Sequence, residues 1–486
     1  MLLHRDSDGQ QITLDPAQIL GAGGEAIVYR VAEDPSLAAK IYRKPTDTRA
    51  HKLLAMSTHP PVDPMAASGH CSIAWPVELL RTPGRRPKVA GFLMPRVDRM
   101  SPIIDLYSPH SRLLQRPWFN YQRLLRTGYN LAATVSAVHA GGYVVGDLNY
   151  TNVLVSGDAL VTLIDTDSFQ VPDPDQKMVY RCTVYTPEFT PPELQNNTGR
   201  EKNRGPEHDL FGLAVLIYLL LMGGNHPFSG TYIGNGEPEL LAARIEKGQF
   251  PYSTKKIVDY NPAPVAPPLD ILTPTLRQLV ITCFEDGDAA PQMRPSPEAW
   301  QAALLEAEET LVSCPANSQH GYSGHLEACP WCERTEQLGG RDPFPSRYAV
   351  NHAEHLKPIP VPQTLPAQWS PRWHYRRERS FPRPLPLTPS FNTRAWVVLV
   401  LTLWVFLPVF WGLVAWQFPV ALPAYAGAAM TIYGLTGAMV PIGLGMMSWR
   451  RAQAYGGGGI LMVVAGLGSV GGLGLIGAYY WLRTFG

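Results

Sequence analysis

Gly142-Tyr-Val-Val-Gly-Asp-Leu-Asn-Tyr-Thr-Asn-Val-Leu-Val155 decides how the rest of this chain is read. It sets Asp147 five residues before Asn152, with apolar residues on both sides, and a second apolar run, Leu160-Val-Thr-Leu-Ile164, ends on Asp165. Two carboxylates and one amide are thus brought to the ends of neighbouring elements. Phosphoryl transfer uses such a set: one carboxylate orients the attacking hydroxyl, while the amide and the other carboxylate hold Mg²⁺. Alone, the stretch reads equally well as two polar loop ends between buried strands, so its surroundings decide.

Upstream, residues 11 to 43 read as strand, glycine turn, strand, strand. Ile19-Leu-Gly-Ala-Gly-Gly-Glu-Ala-Ile-Val-Tyr-Arg30 carries three glycines and then an alternating apolar run. A turn without side chains lets backbone N–H groups approach phosphate oxygens, although an ordinary hairpin has the same look. Leu37-Ala-Ala-Lys-Ile-Tyr42 then puts Lys40 inside an apolar strand, as an edge solubiliser or as a buried cation awaiting an anion. Val77-Glu-Leu-Leu80 and Val89-Ala-Gly-Phe-Leu-Met94 read as further strands. Phe119 to His139 has helical apolar spacing. Leu210 to Met222 is apolar on nearly all faces, too short to span a bilayer, and reads as a core helix.

In these motifs the chain resembles a eukaryotic-type protein kinase over about residues 15 to 308. Gly21-x-Gly23-x-x-Ala26-x-Val28 resembles the nucleotide-covering loop, and Lys40 the lysine of V-A-I-K. His139 to Asn152 resembles the catalytic loop with V-G-D for H-R-D, Asp165-Thr-Asp167 stands where D-F-G belongs, and Thr190-Pro-Pro-Glu193 resembles A-P-E. Asp209 opens the long buried helix, and Arg294 matches the arginine that pairs with the A-P-E glutamate, here Glu193. The resemblance implies an α+β, bilobal fold with a small antiparallel β lobe and a large helical lobe, expected over 10–308. It also implies ATP held by Gly21, Gly23, Gly24, Ala26, Val28, Ala38, Lys40, Met94, Pro95 and Val97. Lys40 and Asp147 would be catalytic, Asn152 and Asp165 would hold Mg²⁺ or Mn²⁺, and Glu193, Asp209 and Arg294 would be structural. Ile164-Asp-Thr-Asp-Ser-Phe-Gln170 resembles a divergent bacterial branch, the YegI-type Ser/Thr kinases, which implies a metal-dependent protein phosphatase as partner and a protein substrate of unknown identity.

The chain departs from the pattern at several points. Gly146 replaces the arginine that would receive a phosphorylated activation loop, and Asn149 replaces a lysine near the γ-phosphate. The helix Asp47 to Met56 holds no glutamate for Lys40; His51 is the expected occupant of that position, with Asp47 a shorter substitute. Thr166-Asp167 replaces Phe-Gly, so Asp167 competes with Asp165 as metal ligand. These departures carry the rival expectation of a pseudokinase acting as nucleotide sensor or scaffold. A small-molecule phosphotransferase is the third reading, disfavoured by the Glu193 and Arg294 segments.

The 486 residues suffice for two or three domains, and a net charge of +1 gives no electrostatic case for nucleic acid. The opening Met1-Leu-Leu-His-Arg-Asp does not read as a secretory leader. Of six cysteines, Cys71, Cys182 and Cys283 are scattered, which suits a reducing compartment rather than a disulfide framework. The others form Cys314-x5-His320-x8-Cys329-Pro-Trp-Cys332, a set matching tetrahedral Zn²⁺, with His325 the alternative fourth ligand. So small a segment, 309–340, has too little core to fold without a staple. Residues 341–392 are expected to be an extended Pro/Arg-rich linker. The 395–482 region is expected to hold three transmembrane helices near 395–416, 424–447 and 460–482, since 395 to 449 lacks every charged residue and His, and one helix of that length would measure about 80 Å against a hydrocarbon core of about 30 Å. The arginines flanking the spans imply anionic lipid contact, a multi-pass protein of the bacterial inner membrane, a cytoplasmic kinase domain and an outside C-terminus. Gly468 and Gly472 allow close helix packing and so homo-oligomers.

Overall fold

In a computed structural model of the chain, residues 1–195, 202–264 and 266–357 are described. They form a protein-kinase-like fold. The N-terminal lobe is one antiparallel sheet of seven strands: β1 (Leu2–Arg5), β2 (Gln11–Thr13), β3 (Ile19–Ala22), β4 (Ala26–Arg30), β5 (Leu37–Tyr42), β6 (Glu78–Arg81) and β7 (Val89–Pro95), in the order β2-β1-β6-β7-β5-β4-β3. Helix α1 (Asp47–Thr58) starts at Thr46, whose side chain accepts from the Arg49 N–H. Side chains alternate across β5. Ala39 and Ile41 point to a small core with Leu3, Ile12, Leu14 and Leu93, while Tyr42 joins the main core with Leu53 and Met56 of α1. The same alternation turns Lys40 to the face of Tyr42. Gly91 on β7 is a steric requirement, because a Cβ there would lie 2.0 Å from the Lys40 carbonyl oxygen.

The β1–β2 hairpin straddles the residue-10 boundary expected from sequence, with β1 upstream of it. It extends the sheet beyond β6, to which β1 is paired, with Leu3 and Ile12 both buried.

The larger lobe follows β8 (Ser101–Pro102), α2 (Ile104–Tyr107) and α3 (Pro109–Gln115). Its axis is α4 (Tyr121–Ala140), which buries Leu124, Leu125, Leu131, Val135 and Val138. The hairpin β9 (Val153–Val155) and β10 (Val161–Leu163) comes next, then β11 (Val171–Asp173) with β12 (Met178–Tyr180). Helix α5 (Pro206–Leu221) is buried on nearly all sides, as its continuous apolar sequence demands. β13 (Gly230–Tyr232) pairs with β14 (Tyr260–Pro262), and α6 (Leu241–Glu246), α7 (Pro274–Ile281), α8 (Gly287–Ala289) and α9 (Pro297–Glu309) complete the lobe.

After α9, β15 (Leu311–Ser313) and β16 (Gly321–Ser323) form a hairpin, followed by α10 (Pro330–Gln337) and α11 (Arg347–Asn351). Trp331 packs 4.7 Å from Tyr121 of α4 and 4.9 Å from Phe344, and its indole N–H donates to the Gly321 carbonyl at 2.7 Å. Asp342 and Phe344 therefore belong to this module, and the stretch expected to be extended linker from 341 begins as folded structure. Proline there ends elements without preventing aromatic packing. Among the described residues no helix is long and apolar enough to cross a membrane. The three expected spans lie outside the described residues.

Candidate active site

The β9–β10 hairpin sets the geometry. Val153 pairs with Leu163, so Asn152 and Asp165 leave the same end of one ladder, and the Ile164 N–H donates to the Asn152 carbonyl at 3.0 Å. Within the preceding loop, the Asn152 amide donates to the Asp147 carbonyl at 3.0 Å, and the Asn152 side-chain oxygen lies 3.2 Å from the Thr151 hydroxyl with a second lone pair available to a cation. Asn149 does not face outward. It is 2% exposed, accepts the Thr151 N–H at 2.7 Å and so braces the loop.

Asp209 anchors this loop from α5. It accepts the N–H groups of Val145 and Gly146, both at 2.7 Å, and bonds the His139 imidazole at 2.9 Å. Glu193 takes both terminal nitrogens of the Arg294 guanidinium, at 2.6 and 2.8 Å, and Arg294 also donates to the Glu207 carbonyl at 2.9 Å. Asp147, Asn152, Asp165, Asp209, Glu193 and Arg294 are thus held in one connected arrangement. It runs from the catalytic loop to the end of the segment that follows β10.

Lys40 reaches across from the sheet and bonds the carboxylates of both Asp165 and Asp167. Burial pulls its ammonium down, yet the charges of Asp167 and Asp165 outweigh burial and hold it above the ordinary lysine range. Asp165 has φ 61°, ψ 32°, a left-handed conformation that costs a non-glycine residue about 1–2 kcal/mol. Such strain at a cleft is a mark of function. Thr166, which stands where the kinase pattern has phenylalanine, donates its hydroxyl to the Ala74 carbonyl at 2.8 Å.

A cleft of about 1050 Å³ lies between Gly21, Gly23, Gly24, Ala26 and Val28 on one side and Asp165 and Asp167 on the other. Lys40, Tyr42, Lys52 and residues of β12 also line it. Its lining stops short of Ala38, Met94, Pro95 and Val97. These lie along β5, β7 and the chain just beyond, where Ala38 pairs with Met94 and Leu37 with Pro95.

Helix α1 overturns one expectation. His51 and Asp47 are both exposed. Of the α1 residues that line the cleft, Thr48, Arg49, Lys52 and Leu53, it is Lys52 that reaches the segment after β10, its ammonium donating to the Asp167 carbonyl at 2.7 Å. Burial pushes Lys52 down to about 8, partly opposed by the Asp167 charge. Tyr42 also went unread in the sequence: its phenol donates to Asp167 at 2.7 Å. Its position two residues after Lys40 on one strand was the available signal.

The cysteine cluster is assembled by β15, β16 and the start of α10. Cys314, His320, Cys329 and Cys332 offer ligand atoms that all lie within 4.8 Å of one another. Cys314 and Cys332 sulfurs are 3.5 Å apart, and His320 Nδ1 is 3.6 Å from Cys329 and 3.5 Å from Cys332. A tetrahedral zinc site at ordinary bond lengths separates its ligand atoms by about 3.5–3.8 Å, so the set fits that ion. Asp342 accepts from His320 Nε2 at 2.8 Å, fixing the tautomer that turns Nδ1 to the cluster. His325, the alternative ligand, lies elsewhere and bonds the Asp270 carbonyl at 3.0 Å.

Comparison with known proteins follows the same direction. Protein kinase YegI of Escherichia coli O157:H7 is 36% identical over 330 residues, which cover 66% of this chain and 49% of that protein. The K12 strain's protein kinase YegI is 35% identical over 339 residues, covering 68% and 50%. Its relatives are protein kinases. The chain spans about half the length of these two curated relatives. No family model matches. A solved structure of the ROP18 kinase domain in complex with AMP-PNP and sucrose aligns over 63% of this chain and 82% of that one, with a TM-score of 0.42 and 18% identity.

Proposed function

We propose that this chain is a Ser/Thr protein kinase that transfers the ATP γ-phosphate to protein hydroxyls, anchored in the bacterial inner membrane by the apolar C-terminal region. The observation that carries the reading is the bond of Lys40 to Asp165 in a cleft roofed by a glycine turn, with the Asp147–Asn152 loop held next to Asp165 by the Ile164 N–H bond to the Asn152 carbonyl. Lys40 binds the α- and β-phosphates, and Asp147 orients the acceptor hydroxyl and takes its proton. The Asn152 side-chain oxygen and the exposed Asp165 carboxylate form the donor set for Mg²⁺, which when bound neutralises charge on the phosphates. The Cys314, His320, Cys329 and Cys332 set holds a structural Zn²⁺, since four protein ligands leave no open position for chemistry. Membrane anchoring rests on the charge-free residues 395–449 and 452–482 and their flanking arginines.

The test is transfer of labelled phosphate from ATP by the detergent-purified full chain, onto itself and onto a generic acceptor protein. Asp147→Asn is expected to lower kcat by about 10²–10⁴-fold. Transfer that survives Asp147→Asn unchanged overturns the assignment. One observation favours a nucleotide-binding pseudokinase instead: α1 presents Lys52, not an acid, to the cleft. That reading requires ATP binding without transfer in the same assay.

A further inference from the structure

A lysine within an apolar strand is stable as a cation only beside an anion. Lys40 has two candidates, and they are not equivalent. The Asp165 side chain is 45% exposed at the cleft edge, whereas that of Asp167 is 11% exposed. Both oxygens of Asp167 are engaged, one by Lys40 and the other by the Tyr42 phenol at 2.7 Å. Its backbone carbonyl receives the Lys52 ammonium at 2.7 Å. The turn that carries it is pinned by Thr166 to the Ala74 carbonyl, and Phe169 beyond it is buried 6.2 Å from Trp75.

We propose that Asp167 is the positioning carboxylate of Lys40, doing from the segment after β10 what no acid on α1 does, with Tyr42 and Lys52 fixing it from two sides. This rests on the kinase reading and extends it. When Asp165 turns to a metal ion, Asp167 stays on Lys40, so the two carboxylates divide the work rather than compete for it. The consequence is regulatory. An ion pair between a sheet lysine and a helix glutamate is made and broken as the helix moves. Here the lysine's partner sits on the single 3-10 turn Thr166–Ser168 after β10 and not on α1, and Lys52 ties α1 to that partner's backbone. The phosphate-binding lysine is therefore already aligned in the nucleotide-free protein.

The decisive experiment is a double-mutant cycle on the full chain with Asp167→Asn, Lys40→Met and both together. It is read as affinity for a fluorescent ATP analogue, kcat/KM for ATP and the Mg²⁺ concentration at half-maximal rate. Asp167→Asn is expected to weaken analogue binding about tenfold and leave the Mg²⁺ requirement unchanged, while Asp165→Asn raises that requirement. The double variant is expected to bind no more weakly than Lys40→Met alone, because Asp167 acts through Lys40. Tyr42→Phe, a milder change, should weaken binding about three- to tenfold, and it decides the matter if Asp167→Asn does not fold. Losses that multiply, a raised Mg²⁺ requirement in Asp167→Asn, or wild-type binding in both Asp167→Asn and Tyr42→Phe each overturn the proposal. A wild-type chain that binds the analogue but transfers no phosphate overturns the kinase reading instead, and the binding cycle still decides the role of Asp167.

Discussion

Replacing Gly146 with alanine tests whether the catalytic loop is built to exclude the arginine that the kinase pattern puts there. Gly146 has φ 77°, which costs an alanine about 1–2 kcal/mol. An added Cβ would also lie 2.6 Å from the Cys182 Cβ, 2.8 Å from its sulfur and 3.1 Å from Arg204 Nη1. Cys182 is fully buried, and relieving such overpacking typically costs about 1–3 kcal/mol. The Gly146→Ala loss is therefore expected at about 2–5 kcal/mol, a large part of a stability of about 5–15 kcal/mol. Thermal unfolding of the full chain, followed by tryptophan fluorescence, should show a drop of roughly 3–7 °C. Cys182→Gly removes the two nearest atoms and leaves the end of the flexible Arg204 side chain, which can shift by a few tenths of an ångström. In that background Gly146→Ala should cost only the backbone part, about 1–2 kcal/mol. A neutral Gly146→Ala, or an equal cost in both backgrounds, refutes the steric argument. The functional point follows from what fills the space: the Arg204 guanidinium donates to the Gly146 carbonyl.

Three further outcomes are expected. Chelation of zinc, or Cys332→Ser, should lower the melting temperature of the whole lobe, because Trp331 packs on Tyr121 of α4. Asp342→Ala should weaken zinc affinity about 10–100-fold in competition with a chromogenic chelator, and a chain purified without zinc contradicts both. Glu193→Gln leaves the Arg294 guanidinium, 0% exposed, without its carboxylate. Removing one partner of a buried pair costs about 3–5 kcal/mol, discounted here to about 2–4 because Glu193 is 28% exposed; a loss below about 1 kcal/mol in urea unfolding would show the pair to be solvated. Lys52, pushed down from 10.5 to about 8 in the folded state, binds fewer protons there than in the unfolded chain between those values. Its contribution to stability should thus rise as pH rises from about 8 to 10.5, by roughly 3 kcal/mol in all, and Lys52→Met should flatten that part of the stability–pH curve.

The parts of the site legible in the sequence are those fixed by short spacings and strand ends. Asp147 and Asn152 share one loop, and Asp165 ends an apolar run whose partner strand begins beside Asn152, so the β9–β10 ladder brings them together. The counter-ion of Lys40 was not legible because it comes from 127 positions away, and only the tertiary fold selects between Asp165 and Asp167. The occupant of the α1 position was misread for a smaller reason. Neighbouring helix residues differ by about 100° in direction. With Leu53 buried but Leu54 49% exposed, the pattern around His51 and Lys52 does not say which one faces inward. The β1–β2 hairpin escaped notice because β1 has a single buried side chain, Leu3, too little for an alternation to register.

Three of the departures from the kinase pattern share one physical outcome. Without an arginine at 146, the Gly146 carbonyl takes the Arg204 guanidinium, and the Arg204 backbone exchanges two hydrogen bonds with the Gln170 side chain at 2.6 and 2.7 Å. Gln170 in turn pairs through its backbone with Val144 beside the catalytic loop. Without a glutamate on α1, Asp167 holds Lys40; without a phenylalanine at 166, Thr166 fixes the turn to Ala74. These contacts tie the segment after β10, the catalytic loop and the chain before α5 to one another, to Lys40 of the sheet and to Ala74 before β6, and none needs an added phosphate. A segment held this way is ordered by its own sequence. On the proposed kinase reading, control of the site is expected from events outside this segment rather than from its phosphorylation, so alanine at Thr183, Thr186 and Thr190 is expected to leave phosphate transfer unchanged.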